Sequence, residues 1–351
     1  MVRIGGFGVA LPETPIRQDE VWEGFFAEHF GGSPGARRIF GNAGVDTRYG
    51  VANPLTEDLS ATTTGQRMGR YAADAPPLGH AATTRALQAA GLEPTDVGLF
   101  AVASCTGYTT PGLDITLAAE LGMSADVQRL CIGHMGCYAA LPGLGTVTDF
   151  AVSRGRPAVL LCLELPTLHI QPPTREVQQI VAHALFGDAA AAVVALPDSG
   201  SSGRPPWGLE LVDLVARTDP ANADYMTWRV TDHGFRMGLS PRVADALSGH
   251  VADVVGKLLA RHGLTPPDVA GWAVHPGGPR ILEVVESQLG LPEDALDVSR
   301  ATLRDYGNCS SATVLMVLDG MLRRGDIPPS GYVVALAFGP GLTLYAALLR
   351  G

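Results

Sequence analysis

Three short segments of the sequence combine tight-turn glycines with a reactive or polar side chain. They carry Cys137 in Gly133-His-Met-Gly-Cys-Tyr, His275 in Ala273-Val-His-Pro-Gly-Gly-Pro, and Asn308 in Tyr306-Gly-Asn-Cys-Ser-Ser. Each segment adjoins the end of an expected strand or helix, where loops present catalytic groups on a rigid scaffold. These three side chains are therefore the first candidates for a catalytic site.

A cysteine, a histidine and an asparagine together form one recurrent solution for acyl transfer. The thiolate attacks a thioester, the imidazole pairs with the thiolate and lowers the pKa of the thiol, and positioned donors stabilise the oxyanion. Cys137 is expected at the start of a helix, where the helix dipole further favours the thiolate. We therefore predict acyl transfer on Cys137, with a buried structural cysteine as the alternative.

The elements that must position these residues come in two similar sets. The segment 91–103 matches the segment 263–275 at seven of thirteen positions, at an offset of 172 residues. The same offset carries Cys137 onto Cys309, the neighbour of Asn308. Landmarks that recur in the same order predict a duplicated architecture, in which equivalent loops of the two halves meet.

Each half alternates strands with helices that end at a glycine, a pattern typical of α/β folds. The expected helices cover 78–90, 113–121, 137–153, 243–262, 280–289 and 310–324, and the expected strands 97–104, 157–164, 189–196, 272–275 and 329–336. The pattern predicts a duplicated five-layer α-β-α-β-α sandwich. Residues 1–200 would form the half with the nucleophile and residues 201–351 the half with His275 and Asn308, joined through the Ser-, Gly- and Pro-rich segment 197–207.

Six segments in a fixed order resemble a known family. They are Ser104-Cys-Thr-Gly, Gly136-Cys, Ala184-Leu-Phe-Gly-Asp, Ala273-Val-His-Pro-Gly-Gly-Pro, Tyr306-Gly-Asn-Cys-Ser-Ser-Ala and Phe338-Gly-Pro-Gly-Leu. With these segments the chain resembles the type III polyketide synthases, the chalcone-synthase-like branch of the thiolase superfamily, and bacterial tetrahydroxynaphthalene synthases among them. The resemblance implies a homodimer of thiolase-like subunits. It also implies a Cys–His–Asn triad that extends an acyl starter with malonyl units.

The resemblance implies a role for each matching residue. Cys137 matches the nucleophile, His275 the residue that pairs with its thiolate and helps to decarboxylate the malonyl group, and Asn308 the residue that stabilises the enolate and the oxyanion. Phe186 and Met237 fall where the family has two gatekeeping aromatic residues. The other matches are cavity positions, namely Cys105, His169, Gly339 and Gly341, and a coenzyme A-binding position, Arg38.

The resemblance implies acyl-CoA and malonyl-CoA as substrates, without a further cofactor. Gly35 and Asn42 stand where plant members have lysines, so an acyl carrier protein is a second candidate donor. Pro142, five residues after Cys137, would kink the helix unless it lies in the first turn. These departures keep two alternatives open: a single-step ketosynthase or non-extending acyltransferase, and a non-catalytic subunit on the same fold.

Three of the cavity positions depart together from the plant pattern and bear on the starter. Methionine at position 237 is flexible and adapts to aliphatic chains. An imidazole at position 169 would add a polar, titratable group near the thioester, and Cys105 is the third departure. We therefore expect an aliphatic or malonyl starter in preference to a bulky aromatic one.

Composition excludes several classes of protein. The 351 residues are 46% hydrophobic and 17% charged, with a net charge of −10 and a mean hydropathy of +0.17. An acidic chain argues against a nucleic-acid partner, and no apolar run approaches the roughly 18–20 residues of a membrane span. Five cysteines without a CxxC pair argue against disulfides and a structural zinc site. We expect a soluble, cytoplasmic protein without a bound metal.

Overall fold

The computed structural model describes residues 2–197 and 208–351. Its strands are β1 (Val2–Ala10), β2 (Pro15–Arg17), β3 (Thr47–Tyr49), β4 (Leu99–Ser104), β5 (Gln128–Gly133), β6 (Ala158–Glu164), β7 (Ala189–Pro197), β8 (Glu210–Thr218), β9 (Met226–Thr231), β10 (Gly234–Leu239), β11 (Val269–Val274), β12 (Tyr332–Gly339) and β13 (Thr343–Arg350). Its helices are α1 (Gln18–Val21), α2 (Ala27–His29), α3 (Pro34–Gly41), α4 (Thr64–Ala90), α5 (Leu113–Glu120), α6 (Ala140–Arg154), α7 (Val177–Leu185), α8 (Val243–Ala260), α9 (Pro279–Leu289), α10 (Asp297–Tyr306) and α11 (Ala312–Arg324).

Two mixed sheets repeat the same strand order. The first sheet has the order β1-β7-β6-β4-β5 and the second the order β8-β13-β12-β11. In both, the first three strands are antiparallel neighbours and the next strand is parallel to the third. The first sheet has an additional parallel edge strand, β5. This correspondence confirms the duplication that the sequence repeat predicts.

The sheets and helices form five layers. Helices α4 and α5 cover the outer face of the first sheet, α6 and α11 lie between the sheets, and α8 and α9 cover the outer face of the second. The run from Ala312 to Leu318 in α11 is buried throughout, because a helix between two sheets has no face left for water. The predicted α-β-α-β-α sandwich is therefore confirmed.

Helix α4 is longer than the sequence predicts. The prediction began at residue 78, after Pro76 and Pro77, but the helix starts at Thr64. Thr63 and Gln66 form a reciprocal capping box at its N-terminus, and its buried face packs on the first sheet. Capping and packing together offset the two backbone hydrogen bonds that are lost because Pro76 and Pro77 have no N–H.

The predicted helix over 137–153 is divided in two. Gly136–Tyr138 forms a separate 3₁₀ turn, and α6 starts at Ala140. Pro142 therefore lies in the first turn of α6, where a missing N–H leaves no intrahelical bond unmade and forces no kink.

The predicted connection between the halves lies outside the described residues, apart from Pro197 at the end of β7. The division of the chain at residue 200 therefore stays a prediction. None of the helices that the structure describes combines the length and apolar character needed to cross a membrane.

Candidate active site

Cys137 occupies the 3₁₀ turn immediately before α6. Gly136 has a φ of +75°, and a Cβ there would lie 2.5 Å from Cδ of Pro340, so only glycine fits. A Cβ on Gly339 would lie 2.6 Å from the ring of Tyr138. The loop from Gly339 to Gly341 therefore packs directly on the cysteine turn, and it is Pro340 that borders the cavity there.

His275 directly follows β11. Its backbone N–H donates to the carbonyl of Leu336 on β12, at 2.8 Å. The ring is 1% exposed, and neither ring nitrogen has a hydrogen-bond partner within the described part of the chain. Burial lowers the pKa of His275 to about 3. A neutral imidazole with two unpartnered nitrogens can accept a hydrogen bond from one reacting group and donate one to another.

Asn308 lies in the turn that precedes α11. Its backbone N–H donates to the carbonyl of Leu185 at 2.8 Å, and its carbonyl accepts from the N–H of Gly187 at 3.1 Å. Its side-chain Oδ1 accepts from the N–H of Ser310 at 2.9 Å. Because Oδ1 is engaged in this way, Nδ2 is the atom left to donate to a reacting oxygen.

The environment of the Cys137 thiol in the substrate-free site disfavours its ionisation. Burial raises the pKa of Cys137 to about 12, although hydrogen bonds with the side chains of Ser310 and Asn308 oppose the rise. The lowered pKa that the sequence predicts is therefore wrong for this state, because desolvation outweighs the hydrogen bonds. Acylation requires a base for the thiol proton, and His275 lines the same cleft.

One cleft of about 880 Å³ connects the site to the surface. Cys137, His275 and Asn308 all line it, as the resemblance implies. Phe186 and Met237 also stand in its wall, and Arg38 contributes to it from α3. The structure thus brings the three candidate catalytic residues together with both gate positions.

A buried arginine holds the backbone around Phe186, one of the two candidate gate residues. Nη1 of Arg48 donates to the carbonyls of Phe186 at 2.9 Å and His183 at 2.6 Å, and Nη2 donates to that of Ala184 at 2.7 Å. The backbone of Phe186 also pairs with that of Asn308. Phe186 and Asn308 are therefore held as one unit, and no sequence motif had indicated Arg48.

Two small cavities lie beyond the cleft. The first encloses about 20 Å³ and is bordered by Cys137, Cys105 and Trp228. The second encloses about 50 Å³ and is bordered by His169, Phe235 and again Trp228. Cavities of these sizes hold one or a few water molecules. Trp228 borders both, and its Nε1 donates to the carbonyl of Cys105 at 2.7 Å, so its indole forms part of the partition between them.

His169 is a structural brace. Its Nε2 lies 2.7 Å from the carbonyl of Thr106, and its Nδ1 accepts from the N–H of Phe235 at 3.0 Å. These partners fix the neutral tautomer with the proton on Nε2, and burial lowers the pKa of His169 to about 4. The expectation of a titratable imidazole near the thioester is therefore wrong.

A fully buried glutamate holds the loop at Cys105, which borders the inner cavity. Glu164, at the end of β6, accepts from the N–H of Cys105 at 3.0 Å, from Oγ1 of Thr106 at 2.8 Å and from Oγ of Ser311 at 2.6 Å. Burial raises the pKa of Glu164, and these donors oppose the rise. The sequence signal for Glu164 was that it is the single charged residue of a buried strand, Ala158–Glu164, and stands at its end.

Comparison with known proteins places the whole chain in one family. Residues 4–199 match the model for chalcone and stilbene synthases, N-terminal domain, and residues 210–351 match the model for the corresponding C-terminal domain. The chain therefore belongs to the chalcone and stilbene synthase family. It is a type III polyketide synthase, an acyltransferase on the thiolase fold.

Curated relatives and solved structures agree with this assignment. The chain is 38% identical to a 1,3,6,8-tetrahydroxynaphthalene synthase of Streptomyces peucetius, over 90% of this chain and 83% of the relative. It is 30% identical to a 3,5-dihydroxyphenylacetyl-CoA synthase of Streptomyces toyocaensis, over 99% and 90%. The C-terminal type III polyketide synthase domain of Steely1 from Dictyostelium superposes with a TM-score of 0.93 at 25% identity, covering 100% of this chain and 99% of that one.

Proposed function

We propose that this polyketide synthase loads a small acyl starter from coenzyme A onto Cys137 and extends it by a few malonyl-derived units. The observation that carries the proposal is the placement of Cys137, His275 and Asn308 in the wall of one cleft, behind the Phe186 and Met237 gate. Coenzyme A thioesters supply all the reacting carbon, and no further cofactor takes part.

Loading begins when a starter thioester enters the cleft. His275 takes the thiol proton as Sγ of Cys137 attacks the carbonyl carbon, and Nδ2 of Asn308 donates to the developing oxyanion. The carbon–sulfur bond to coenzyme A then breaks, and the departing sulfur takes the proton from His275. The starter is left on Cys137.

Extension uses the same two donors for a second purpose. A malonyl thioester loses carbon dioxide, and the negative charge moves onto its thioester oxygen as an enolate. Hydrogen bonds from Asn308 and His275 stabilise this oxygen. The enolate carbon attacks the carbonyl of the acyl-Cys137 thioester, the bond from that carbonyl carbon to Sγ breaks, and the lengthened chain is now a thioester of coenzyme A. Another cycle begins when this chain is transferred back to the freed Cys137.

The test measures two outputs from the wild-type enzyme. Malonyl-CoA is supplied with a panel of acyl-CoA starters, carbon dioxide is quantified, and the products are identified by mass spectrometry. We expect release of carbon dioxide together with short products from aliphatic or malonyl starters. Acylation of Cys137 without carbon dioxide release would instead indicate a non-extending acyltransferase, and the absence of both would contradict the proposal.

The small size of the inner cavity beside Cys137 supports a small starter. The space beside Cys137 encloses about 20 Å³, and Trp228 stands between it and the second cavity of about 50 Å³. We expect Trp228→Ala to join the two cavities and to shift the product spectrum by one or more additional malonyl units. Liquid chromatography with mass spectrometry measures the shift.

A control separates the bulk of the indole from its hydrogen bond to Cys105. Trp228→Phe loses the bond but keeps an aromatic ring in the partition, so it should keep the wild-type chain length. If the alanine variant gives the wild-type products at a reduced rate, Trp228 does not limit chain length.

We also propose that two copies of the chain associate along β5. This edge strand exposes Leu130, and nearby Tyr108 and Ile115 are exposed apolar side chains. An exposed edge strand with exposed apolar side chains on and beside it is unusual in a protein that remains monomeric. Pairing the β5 strands of two copies would cover these side chains and would join the two first sheets into one.

A charge placed on β5 tests this association. Leu130→Asp should convert a dimer into a monomer, because it would bury a carboxylate in the interface. Light scattering after size-exclusion chromatography gives the mass. Val152→Asp is the matched control, since Val152 is 65% exposed on α6, away from β5. A wild-type monomer, or a Leu130→Asp dimer, would contradict the proposal.

A further inference from the structure

Phe186 and Met237 stand where three spaces of the molecule meet. Both line the cleft of about 880 Å³, the cavity of about 20 Å³ beside Cys137 and the second cavity of about 50 Å³. Among the residues that the structure describes, these two are the ones that border all three spaces. Their positions therefore decide how long an acyl group can pass from the cleft toward the inner cavities.

Met237 lies on a strand with a free edge. Within the part of the chain that the structure describes, β10 pairs with β9 alone, in a two-stranded sheet. The backbone groups along the other edge of β10 have no strand to bind. Phe235 and Met237 are both buried, and buried backbone groups require other partners.

Glutamine side chains bind this free edge. Alternate residues of a strand direct their backbone N–H and C=O groups to the same edge, and the bonds follow this alternation along β10. Three bonds share this character, namely Nε2 of Gln171 to the carbonyl of Phe235 at 3.2 Å, Nε2 of Gln179 to the carbonyl of Met237 at 2.6 Å, and the N–H of Leu239 to Oε1 of Gln178 at 3.0 Å. The strand is thus held in place by side chains instead of by a further strand.

Gln179 connects the two candidate gate residues. Its side chain is buried on α7, and it borders the second cavity but not the cleft. Phe186 directly follows the last residue of α7. The helix therefore carries one gate residue in its own chain and holds the other through the bond from Gln179 to the Met237 carbonyl.

The two ends of β10 are held differently. Near the hairpin turn, Phe235 has two bonds to side chains, because its N–H also donates to Nδ1 of His169 at 3.0 Å. At Met237 the side-chain bond comes from Gln179. Loss of Gln171 would therefore leave Phe235 held by His169, whereas loss of the Gln179 amide would release Met237.

We propose that Gln179 is a specificity-determining positioning residue: it holds Met237 against Phe186 and so excludes long acyl starters from Cys137. The inference rests on the proposed function, in which Cys137 accepts the starter. Gln179 does not line the cleft with Cys137, so it acts through the Met237 backbone and not on the reacting atoms.

The experiment compares a short and a long starter. Transfer to Cys137 is followed by intact mass, from acetyl-CoA and from octanoyl-CoA. Gln179→Met keeps the length of the side chain and removes the donor. It should raise the ratio of kcat/KM for octanoyl-CoA to that for acetyl-CoA by at least about tenfold, the lower end of what a changed fit in an apolar pocket produces. Loading from acetyl-CoA should keep its wild-type rate, because the gate does not limit so small a group.

Gln171→Met is the matched control on the same hairpin. It removes the bonds from Nε2 of Gln171 to the carbonyls of His169, His233 and Phe235. It should lower the thermal midpoint at least as much as Gln179→Met does, and it should leave the ratio of the two starters unchanged. An equal rise of the ratio in both variants would show that selectivity follows hairpin stability, and it would overturn the proposal.

A double variant tests whether Gln179 acts through Met237. Met237→Ala opens the passage directly and should admit octanoyl-CoA. Residues that act on one another are not additive, so Gln179→Met should raise the ratio less in the Met237→Ala background than in the wild type. Full additivity would overturn the proposed route.

The remaining outcomes separate this proposal from the proposed function. An unchanged ratio in folded Gln179→Met overturns the role of Gln179 and leaves the proposed function intact. If Gln179→Met does not fold, Gln179→Ser tests the same bond, since it leaves room for a water molecule to bind the Met237 carbonyl. Failure of acetyl-CoA to acylate the wild type would contradict the proposed function itself.

Discussion

The Cys137→Ala variant should form no acyl-enzyme and no polyketide, whereas the wild type should gain the mass of one acyl group. Among the residues that the structure describes, Cys137 is the one cysteine that lines the cleft, together with His275 and Asn308. Cys162 and Cys309 are fully buried, and burial raises the pKa of each thiol. Intact-mass analysis after incubation with an acyl-CoA measures the adduct directly.

Two other cysteines could accept an acyl group and would then contradict this prediction. Cys105 borders the inner cavity, but burial and the adjacent Glu164 carboxylate raise the pKa of its thiol. Cys131 is exposed on β5 and is not among the residues that line the cleft. Cys309→Ala is the matched control, because it removes a buried thiol next to Asn308 and should keep the single adduct. An adduct that persists in Cys137→Ala would show a second acyl acceptor.

The fold was predictable because the sequence signals of its strands and helices are local and occur twice in the chain. The segments 91–103 and 263–275 match at seven of thirteen positions. This match indicates two copies of one helix–turn–strand unit. In the structure these units end at β4 and β11, equivalent strands of the two sheets. The strands that were missed have weak local signals. For example, β5 is almost entirely exposed, so its residues show no apolar pattern.

The candidate catalytic residues could be proposed from the sequence because each lies in a glycine-containing turn with its own motif. The residues that support them were not, because they act through contacts between distant parts of the chain. Arg48 binds carbonyls more than 130 residues away, and Glu164 holds the loop at Cys105 from another strand. Trp228 lies directly opposite Met237 in the β9–β10 hairpin. Recognition of that hairpin would have placed the indole beside the gate.

The pKa of the Cys137 thiol is a property that the sequence motif alone does not predict. The Cys–His–Asn combination implied a lowered pKa for the thiol, but burial dominates the free site. The same burial leaves His275 neutral and without hydrogen-bond partners. Proton transfer between the two residues is therefore part of the proposed loading step, which a list of residue types does not reveal.

Decarboxylation should separate the roles of the three residues. We expect His275→Ala and Asn308→Ala to lower carbon dioxide release from malonyl-CoA by about 10²–10³-fold, the usual cost of losing one oxyanion donor. Cys137→Ala should still release carbon dioxide, because the thiol holds the growing chain and does not contact the enolate oxygen. Trapped carbon dioxide from labelled malonyl-CoA gives each rate.

A loss of fold must be distinguished from a loss of donors in this experiment. Asn308→Ala removes the acceptor of the Ser310 N–H, and a buried donor left without a partner costs about 1–3 kcal/mol. Thermal unfolding therefore accompanies each rate measurement. His275→Ala removes a ring with no hydrogen-bond partner, so its effect on stability comes from packing alone. If both variants remain folded and decarboxylation falls equally in all three, the enolate is stabilised by some other group and the assignment of donors is wrong. If carbon dioxide release survives only in Cys137→Ala, the nucleophile and the enolate donors are separate parts of one site.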